Sequence, residues 1–173
     1  MNWSEADAFC QWLTQRERRR QLLKPEQQYR LPRDTEWSVA VTEPVLLSDD
    51  AEAGAVRYPW GLWPPKGPVG NYERILDGEG KEIKVMRDPF DALAPAGSFP
   101  ANWFGVFNLG GNVWEWCESP EGDHPDGRVI RGGSWKETDL ARTASEFSET
   151  IESAGQRDDL GFRVVLALGM DSQ

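Results

Sequence analysis

The chain is poor in the residues that build most covalent, metal and redox centres. Its 173 residues include two cysteines, Cys10 and Cys117, and a single histidine, His124. Two cysteines without a Cys-x-x-Cys spacing make neither a disulfide scaffold nor a typical zinc site. A lone histidine in a turn-like segment supports neither a histidine cluster for iron nor a serine–histidine–acid triad. Cys10 lies among apolar neighbours and is expected to be a buried packing residue.

Positive charge and long apolar segments are also scarce. The chain has 19 Lys and Arg against 29 Asp and Glu, which gives a formal net charge of −10. Nucleic acids and anionic membrane surfaces bind positively charged patches, so neither is expected as a partner. No apolar run is long enough to span a bilayer and no signal peptide is evident, so cytoplasmic is the default compartment.

Regular secondary structure is predicted mainly near the two ends of the chain. Ser4 and Asp7 resemble a capping box, and a helix with Ala6, Phe9 and Leu13 on one face should continue into RERRRQLL. A second helix is expected over DTEWSVAV.

Short antiparallel strands are predicted over residues 112–117, 128–130 and 161–168, and an extended segment over YRLP. Residues 43–107 have no periodicity but carry many prolines and aromatics, which indicates packed loops. The sequence therefore predicts one α+β domain over residues 1–173, with two helices, short strands and a high loop content.

Six motifs follow one another along almost the whole chain: WSEADAFCQWL, YRLPRDTEW, YPWG, APAGSFPANWFGVFNLGGNVWEWC, RVIRGGSW and LGFRVV. In this order they resemble the formylglycine-generating enzyme family, also called the sulfatase-modifying factor family. The resemblance implies an irregular C-type-lectin-like fold. It also implies an N-terminal segment with early strands that this chain lacks, and that a longer parent chain, a partner or a second copy would supply.

Several functions are implied by this resemblance: a copper-dependent oxidase that acts on a sulfatase cysteine, iron-dependent sulfoxide synthases, ligand-displaying variable proteins, and non-catalytic modules attached to bacterial kinases. The oxidase binds copper(I) through two cysteines shortly after the GGS motif, because a soft monovalent metal needs thiolate ligands. Here GGSWKETDLARTASEF contains no cysteine. Glu137 stands about where the first cysteine would fall, and Ala141 or Arg142 about where the second would. We therefore expect no copper and no oxidase activity.

Two calcium sites are implied by the same resemblance. The first would use Asn108, the carbonyls of Gly111 and Val113, and the Glu115 carboxylate, while the second would use Asn71, Asp88 and the carbonyls of Tyr72 and Phe90. Calcium takes six to eight oxygen ligands, which irregular loops can supply, and bound metal adds folding free energy. The alternative for Glu115 is a carboxylate that accepts hydrogen bonds from loop amides or an arginine.

A polar segment between RVIRGGSW and LGFRVV is the candidate ligand surface, because loops on firm scaffolds often carry recognition. The residues assigned to it are Trp135, Lys136, Glu137, Asp139, Arg142, Glu146 and Arg157. Its acidic excess would suit a basic peptide, and an ordinary solvated surface is the alternative.

The leading hypothesis is a non-catalytic, calcium-stabilised C-type-lectin-like module that recognises a protein or peptide, within a larger signalling or kinase-linked protein. The alternatives are a formylglycine-generating-type oxidoreductase with another metal arrangement, and a ligand-displaying variable protein.

Overall fold

The computed structural model describes residues 1–42, 57–62, 67–84, 88–118 and 126–169. His124 and parts of the predicted irregular segment lie outside these residues. No helix in the described ranges is both long and apolar enough to cross a membrane.

The first helix, α1, spans Trp3–Arg19 and begins at a capping box. Asn2 is the N-cap: its Oδ1 accepts a hydrogen bond from the Glu5 amide, and the Glu5 carboxylate accepts one from the Asn2 amide. The predicted box of Ser4 and Asp7 was therefore wrong by two residues. An asparagine caps as well as a serine, and the glutamate three residues later completes the pair.

The buried face of α1 consists of Ala6, Cys10 and Thr14. The predicted burial of Cys10 is confirmed, since it is 1% exposed. The prediction for Phe9 was wrong, because its side chain is 41% exposed. Burial raises the pKa of the Cys10 thiol to about 11. The helix thus packs on the core through small side chains, which lets its backbone approach closely.

The second helix, α2, spans Asp34–Val41, as predicted, and buries Trp37 and Val41. The carboxylate of Glu36 accepts the Arg33 amide at 2.8 Å and both terminal nitrogens of Arg30 at 2.6 Å. These bonds tie the start of α2 to the preceding extended segment.

The described residues contain eight short strands, which form three sheets. The strands are β1 (Gln28–Arg30), β2 (Arg57–Tyr58), β3 (Gly61–Leu62), β4 (Trp114–Trp116), β5 (Gly127–Arg131), β6 (Ser148–Glu152), β7 (Leu160–Gly161) and β8 (Val165–Ala167). The largest sheet has the order β6-β5-β4-β7, and β1 pairs with β8, as β2 does with β3. The α+β class is confirmed.

Strand β4 lies at the centre of the molecule and differs from the prediction in one pairing. It runs antiparallel to β5 but parallel to β7, where Trp114 faces Leu160 and Glu115 faces Gly161. The strand predicted over 161–168 is two strands, because β7 joins the large sheet whereas β8 joins β1. The chain between them, residues 162–164, carries Arg163 to the candidate site.

Successive side chains of β4 point to opposite faces of the strand and so contact different parts of the core. Trp114 and Trp116 point to one face, where they pack with Leu31, Ile130 and the small face of α1. The intervening residue, Glu115, points to the other face and is only 5% exposed. A strand places successive side chains on opposite faces, so one carboxylate is necessarily buried beside two core tryptophans.

Candidate functional site

The Glu115 carboxylate is held by two partners from distant parts of the chain. Its Oε2 accepts a hydrogen bond from Trp37 Nε1 at 2.9 Å and one from Arg163 Nε at 2.6 Å, and its Oε1 accepts Arg163 Nη2 at 2.6 Å. Burial alone would lower the pKa of Arg163, but the charge and hydrogen bonds of Glu115 outweigh it and raise that pKa. The carboxylate is therefore charge-compensated from within the fold.

Arg163 also binds the loop that precedes β4. Its Nη2 donates to the carbonyls of Phe107 and Asn108 at 3.1 and 3.2 Å. The guanidinium thus bridges the Glu115 carboxylate and the entrance of the loop. The motif LGFRVV contained this arginine, but nothing in the sequence indicated which carboxylate it binds.

The loop from Asn108 to Asn112 takes backbone conformations that few residues tolerate. Asn108, Gly111 and Asn112 have φ values of 55°, 72° and 71°. At Gly111, an added Cβ would stand 2.4 Å from the Asn71 carbonyl oxygen, so only glycine fits. The two asparagines are residues that enter the left-handed region more readily than most.

The second predicted set is also brought together. Asp88 Oδ2 accepts the Tyr72 amide at 3.0 Å, and Asp88 Oδ1 accepts the Phe90 amide at 2.8 Å. Asn71, beside Tyr72 in sequence, is 1% exposed and donates from Nδ2 to the Ala92 carbonyl at 2.6 Å. The four predicted residues of this set therefore form one compact turn around Asp88.

The two predicted sets are neighbours rather than separate sites. Asn71 forms a parallel β-bridge with Gly111. The Asn112 amide donates to the Asn71 carbonyl at 2.8 Å, and Asn71 Nδ2 donates back to Asn112 Oδ1 at 3.0 Å. Hydrogen bonds thus join the loop before β4 directly to the segment that contains Asn71.

Free oxygen lone pairs determine how well each set fits calcium. A carboxylate has about four lone-pair sites. The Glu115 carboxylate already accepts three hydrogen bonds, whereas Asp88 accepts two from described residues. Within the described ranges, no cluster of three or more His, Cys, Asp or Glu side chains suits a metal, so each set has a single carboxylate. The Asp88 set therefore has the larger free donor capacity, and calcium at both sets stays a prediction.

Glu137 stands about where the first copper cysteine would fall, and it contacts Arg142, one of the two residues that stand about where the second would. Glu137 is 8% exposed, and its Oε2 accepts Arg142 Nε at 3.0 Å. The Arg142 guanidinium lies 4.9 Å from the centre of the Phe147 ring and 5.4 Å from that of Trp114. Burial alone would lower the pKa of Arg142, and its bonds to Glu137 and Glu149 raise it instead. A partly buried ion pair thus lies in the segment where the resemblance places the copper ligands of the oxidase.

This ion pair is the start of a longer network. Glu149 accepts hydrogen bonds from both Arg142 and Arg157. Arg157 in turn makes two bonds to Asp159, at 2.9 and 3.0 Å, and Ser134 Oγ donates to Asp159 Oδ2 at 2.8 Å. Burial would raise the pKa of Asp159, but these donors lower it. Asp159 and Glu149 both lie in the predicted segment, but the sequence did not indicate their partners.

The remaining predicted surface residues lie at the rim of this network. Lys136 is paired with Asp158 and lies 5.0 Å from the centre of the half-buried Trp135 ring. Asp139 is exposed and caps the short helical turn Leu140–Thr143, and Glu146 is exposed. Of the predicted surface residues, Glu137, Arg142 and Arg157 therefore belong to the network. Whether they bind a ligand stays a prediction.

Comparison with known proteins identifies the family. The model of the sulfatase-modifying factor enzyme 1-like domain matches residues 1–168. The chain belongs to this family. Among its relatives, the inactive C-alpha-formylglycine-generating enzyme 2 of Mus musculus is 32% identical over 188 residues, covering 98% of this chain and 48% of the relative. The formylglycine-generating enzyme of Streptomyces coelicolor is 31% identical over 185 residues, covering 94% of this chain and 50% of the relative.

A solved structure shares the family's C-type-lectin-like fold. PvdO from Pseudomonas aeruginosa superposes with a TM-score of 0.63 at 20% identity, covering 95% of this chain and 59% of PvdO. This likeness concerns the fold alone. The chain spans about half the length of the two relatives above.

Proposed function

We propose that this member of the sulfatase-modifying factor family is a non-catalytic domain that binds a protein or peptide. The observation that carries the proposal is the ion pair between Glu137 and Arg142, because the resemblance places the first copper cysteine at about Glu137 and the second at about Ala141 or Arg142. Copper(I) requires soft thiolate ligands, and a carboxylate paired with a guanidinium offers neither softness nor a free coordination position.

The pair is also well anchored, which opposes its rearrangement into a metal site. Arg142 is shared between Glu137 and Glu149 and lies against two aromatic rings. Removing Arg142 would leave the Glu137 carboxylate, whose side chain is 10% exposed, without its charge partner. The relative named as an inactive formylglycine-generating enzyme supports a non-catalytic role, because it aligns with 98% of this chain.

The ligand we propose is a basic peptide segment. Residues 136–159 contain seven carboxylates and three cationic side chains, a balance of 3 − 7 = −4. Glu137, Glu149, Asp158 and Asp159 are engaged in ion pairs. Asp139, Glu146 and Glu152 are exposed and make no ion pair with a described residue, and the first two belong to the predicted ligand surface. Complementary charge on a peptide would be drawn to these two carboxylates first.

Peptide binding is tested by fluorescence anisotropy with a labelled lysine- and arginine-rich peptide and a glutamate-rich peptide of equal length. We expect saturable binding of the basic peptide only, weakened at high salt and by the double variant Asp139→Asn/Glu146→Gln. Glu79→Gln, in an exposed turn elsewhere, is the matched control. Equal binding of both peptides, or no effect of the double variant, would contradict the proposal.

The competing function is a formylglycine-generating-type oxidoreductase, favoured by the 31% identity to the Streptomyces coelicolor enzyme. Copper(I) titration and oxidation of a cysteine-containing sulfatase peptide separate the two. We expect no tight copper binding and no turnover by the natural chain. The double variant Glu137→Cys/Arg142→Cys serves as the positive control for copper binding. Turnover by the natural chain would sink the non-catalytic proposal.

We further propose calcium as a structural cofactor, held by the turn around Asp88 and by the loop that ends at Glu115. Oxygen ligands come from Asn71, Asp88, Asn108 and Glu115, with backbone carbonyls of the same segments. The role is to add folding free energy to loops that lack regular hydrogen bonding.

A further inference from the structure

One face of α1 remains uncovered although it carries two large aromatic side chains. Phe9 and Trp12 are 41% and 47% exposed. Glu5 lies four residues before Phe9, and Arg16 lies four residues after Trp12, so these four side chains form one stripe along the helix. The face that packs on the core is a different one, formed by Ala6, Cys10 and Thr14.

Three side chains of the stripe are already in contact with one another, whereas the Glu5 carboxylate accepts hydrogen bonds from the Asn2 amide and from Gln156 Nε2. The ring centres of Phe9 and Trp12 are 5.4 Å apart, and the Arg16 guanidinium carbon is 5.3 Å from the centre of the Trp12 ring. Phe162, in the chain after β7, extends the apolar area, with its ring centre 5.4 Å from that of Phe9. The result is a pre-formed aromatic patch with an acid at one end and a guanidinium at the other.

The stripe is complementary to itself when reversed. The midpoint between Phe9 and Trp12 along the helix is also the midpoint between Glu5 and Arg16. In an antiparallel pair of α1 helices, Phe9 of one copy would therefore face Trp12 of the other, and Glu5 would face Arg16. A two-fold axis generates each contact twice, as in any isologous interface.

We propose that this face of α1 binds a second copy of the chain in an antiparallel helix pair. The aromatic centre would be shielded from water, and aromatic pairs contribute beyond the area they bury. The two ion pairs at the ends select the antiparallel orientation and the register. Antiparallel packing also brings the positive end of each helix dipole next to the negative end of the other.

The association should be reversible and concentration-dependent. The patch is small, its ion pairs are exposed, and each copy carries a net charge of −10 that opposes association over longer distances. A dimer of this kind depends on the local pairing of opposite charges at the helix face, where Glu5 of each copy faces Arg16 of the other.

Charge reversal provides a test that only a self-complementary interface can pass. Glu5→Arg places two arginines at each end of the pair, and Arg16→Glu places two glutamates there, so each single variant should dimerise about tenfold more weakly. Mixing the two variants restores both ion pairs in a heterodimer. Sedimentation velocity over a concentration series measures the dissociation constant for each single variant, for the mixture and for the natural chain.

Glu73→Arg and Arg74→Glu are the matched controls, because both residues are exposed and belong to a loop away from α1. Since Glu5 is also part of the capping box, circular dichroism must confirm that α1 is retained. The proposal predicts dimers for the natural chain, a dissociation constant about tenfold higher for each variant alone, and dimers for the mixture at the concentrations at which the natural chain forms them. A natural chain that stays at 19.5 kDa at every concentration would overturn it. So would dimers that ignore the charge reversals, and so would a mixture that stays monomeric.

Discussion

The pair between Glu115 and Arg163 allows the sharpest test of how this fold holds its central strand. Glu115 is 5% exposed and accepts two 2.6 Å hydrogen bonds from Arg163. Replacement by glutamine keeps the shape of the side chain and removes its charge. Removing one partner of a buried pair costs about 3–5 kcal/mol, because the other charge stays in the interior uncompensated.

The expected cost for Glu115→Gln is at the lower end of that range, about 3 kcal/mol, because the Arg163 side chain keeps 22% of its exposure and can recruit water. That loss is a large share of the 5–15 kcal/mol typical of a folded domain. It should lower the melting temperature by roughly 6–12 °C at this chain length. Urea denaturation followed by tryptophan fluorescence gives the free energy of unfolding.

A double-mutant cycle isolates the interaction itself. Arg163→Met should be destabilising for the same reason, and the double variant Glu115→Gln/Arg163→Met should cost less than the two single variants added together. The control is Glu118→Gln, whose partners Arg30 and Arg33 form a more exposed set, and it should change stability by less than about 1 kcal/mol. A cost below about 1 kcal/mol for Glu115→Gln, or simple additivity of the cycle, would refute the reasoning.

Three further predictions concern metal, thiols and acid. Chelation of calcium should lower the melting temperature of the natural chain, and Asp88→Asn should abolish that response; an unchanged melting temperature would remove the calcium proposal. Cys10 and Cys117 should resist iodoacetamide in the folded protein and react after unfolding, because burial raises their pKa values to about 11 and 12. Rapid alkylation of either cysteine in the folded protein, measured by mass spectrometry, would contradict this prediction. Arg30 lowers the pKa of Glu36 from 4.5 to about 2. The stability that Glu36 contributes above pH 4.5 should therefore be lost as the pH falls from 4.5 to 2. Urea titrations at several pH values should show that the free energy of unfolding depends less on pH in Glu36→Gln than in the natural chain.

The predictions on calcium and on acid each have a matched control in the chain. Asp91→Asn removes an exposed carboxylate close to Asp88 in sequence and should leave the calcium response intact. Glu26→Gln removes an exposed carboxylate outside both helices and should leave the acid dependence as it is in the natural chain.

The sequence predicted the parts of the fold that depend on local patterns. The helix over Asp34–Val41 agrees with its acidic first turn, and the burial of Trp114 and Trp116 around Glu115 agrees with strand alternation. The exposure of Phe9 was missed, because helical periodicity groups apolar residues without showing which of them meets the core. On α1 the core takes the small residues instead.

The pairing of strands that are distant along the chain could not be predicted from the sequence, for a different reason. The parallel contact between β4 and β7 joins segments that are 46 residues apart at Trp114 and Leu160, and nothing local specifies it. At the candidate site, too, the local feature could be predicted from the sequence and the long-range contact could not. The absence of cysteine after GGS was readable, whereas the ion pair between Glu137 and Arg142 depends on how the intervening chain folds back.

The hydrogen bonds of Glu115 also carry a consequence for the order of folding. They connect residues that are 78 and 48 positions apart, to Trp37 and Arg163 respectively. Contacts of such separation are made only after much of the loop-closure entropy has been lost. We therefore expect this cluster to form after the folding transition state, so that it governs the rate at which the native protein opens and leaves the rate of folding nearly unchanged. The contacts of the buried carboxylate would then form late in folding, and their main effect would be to slow unfolding and so lengthen the lifetime of the folded state.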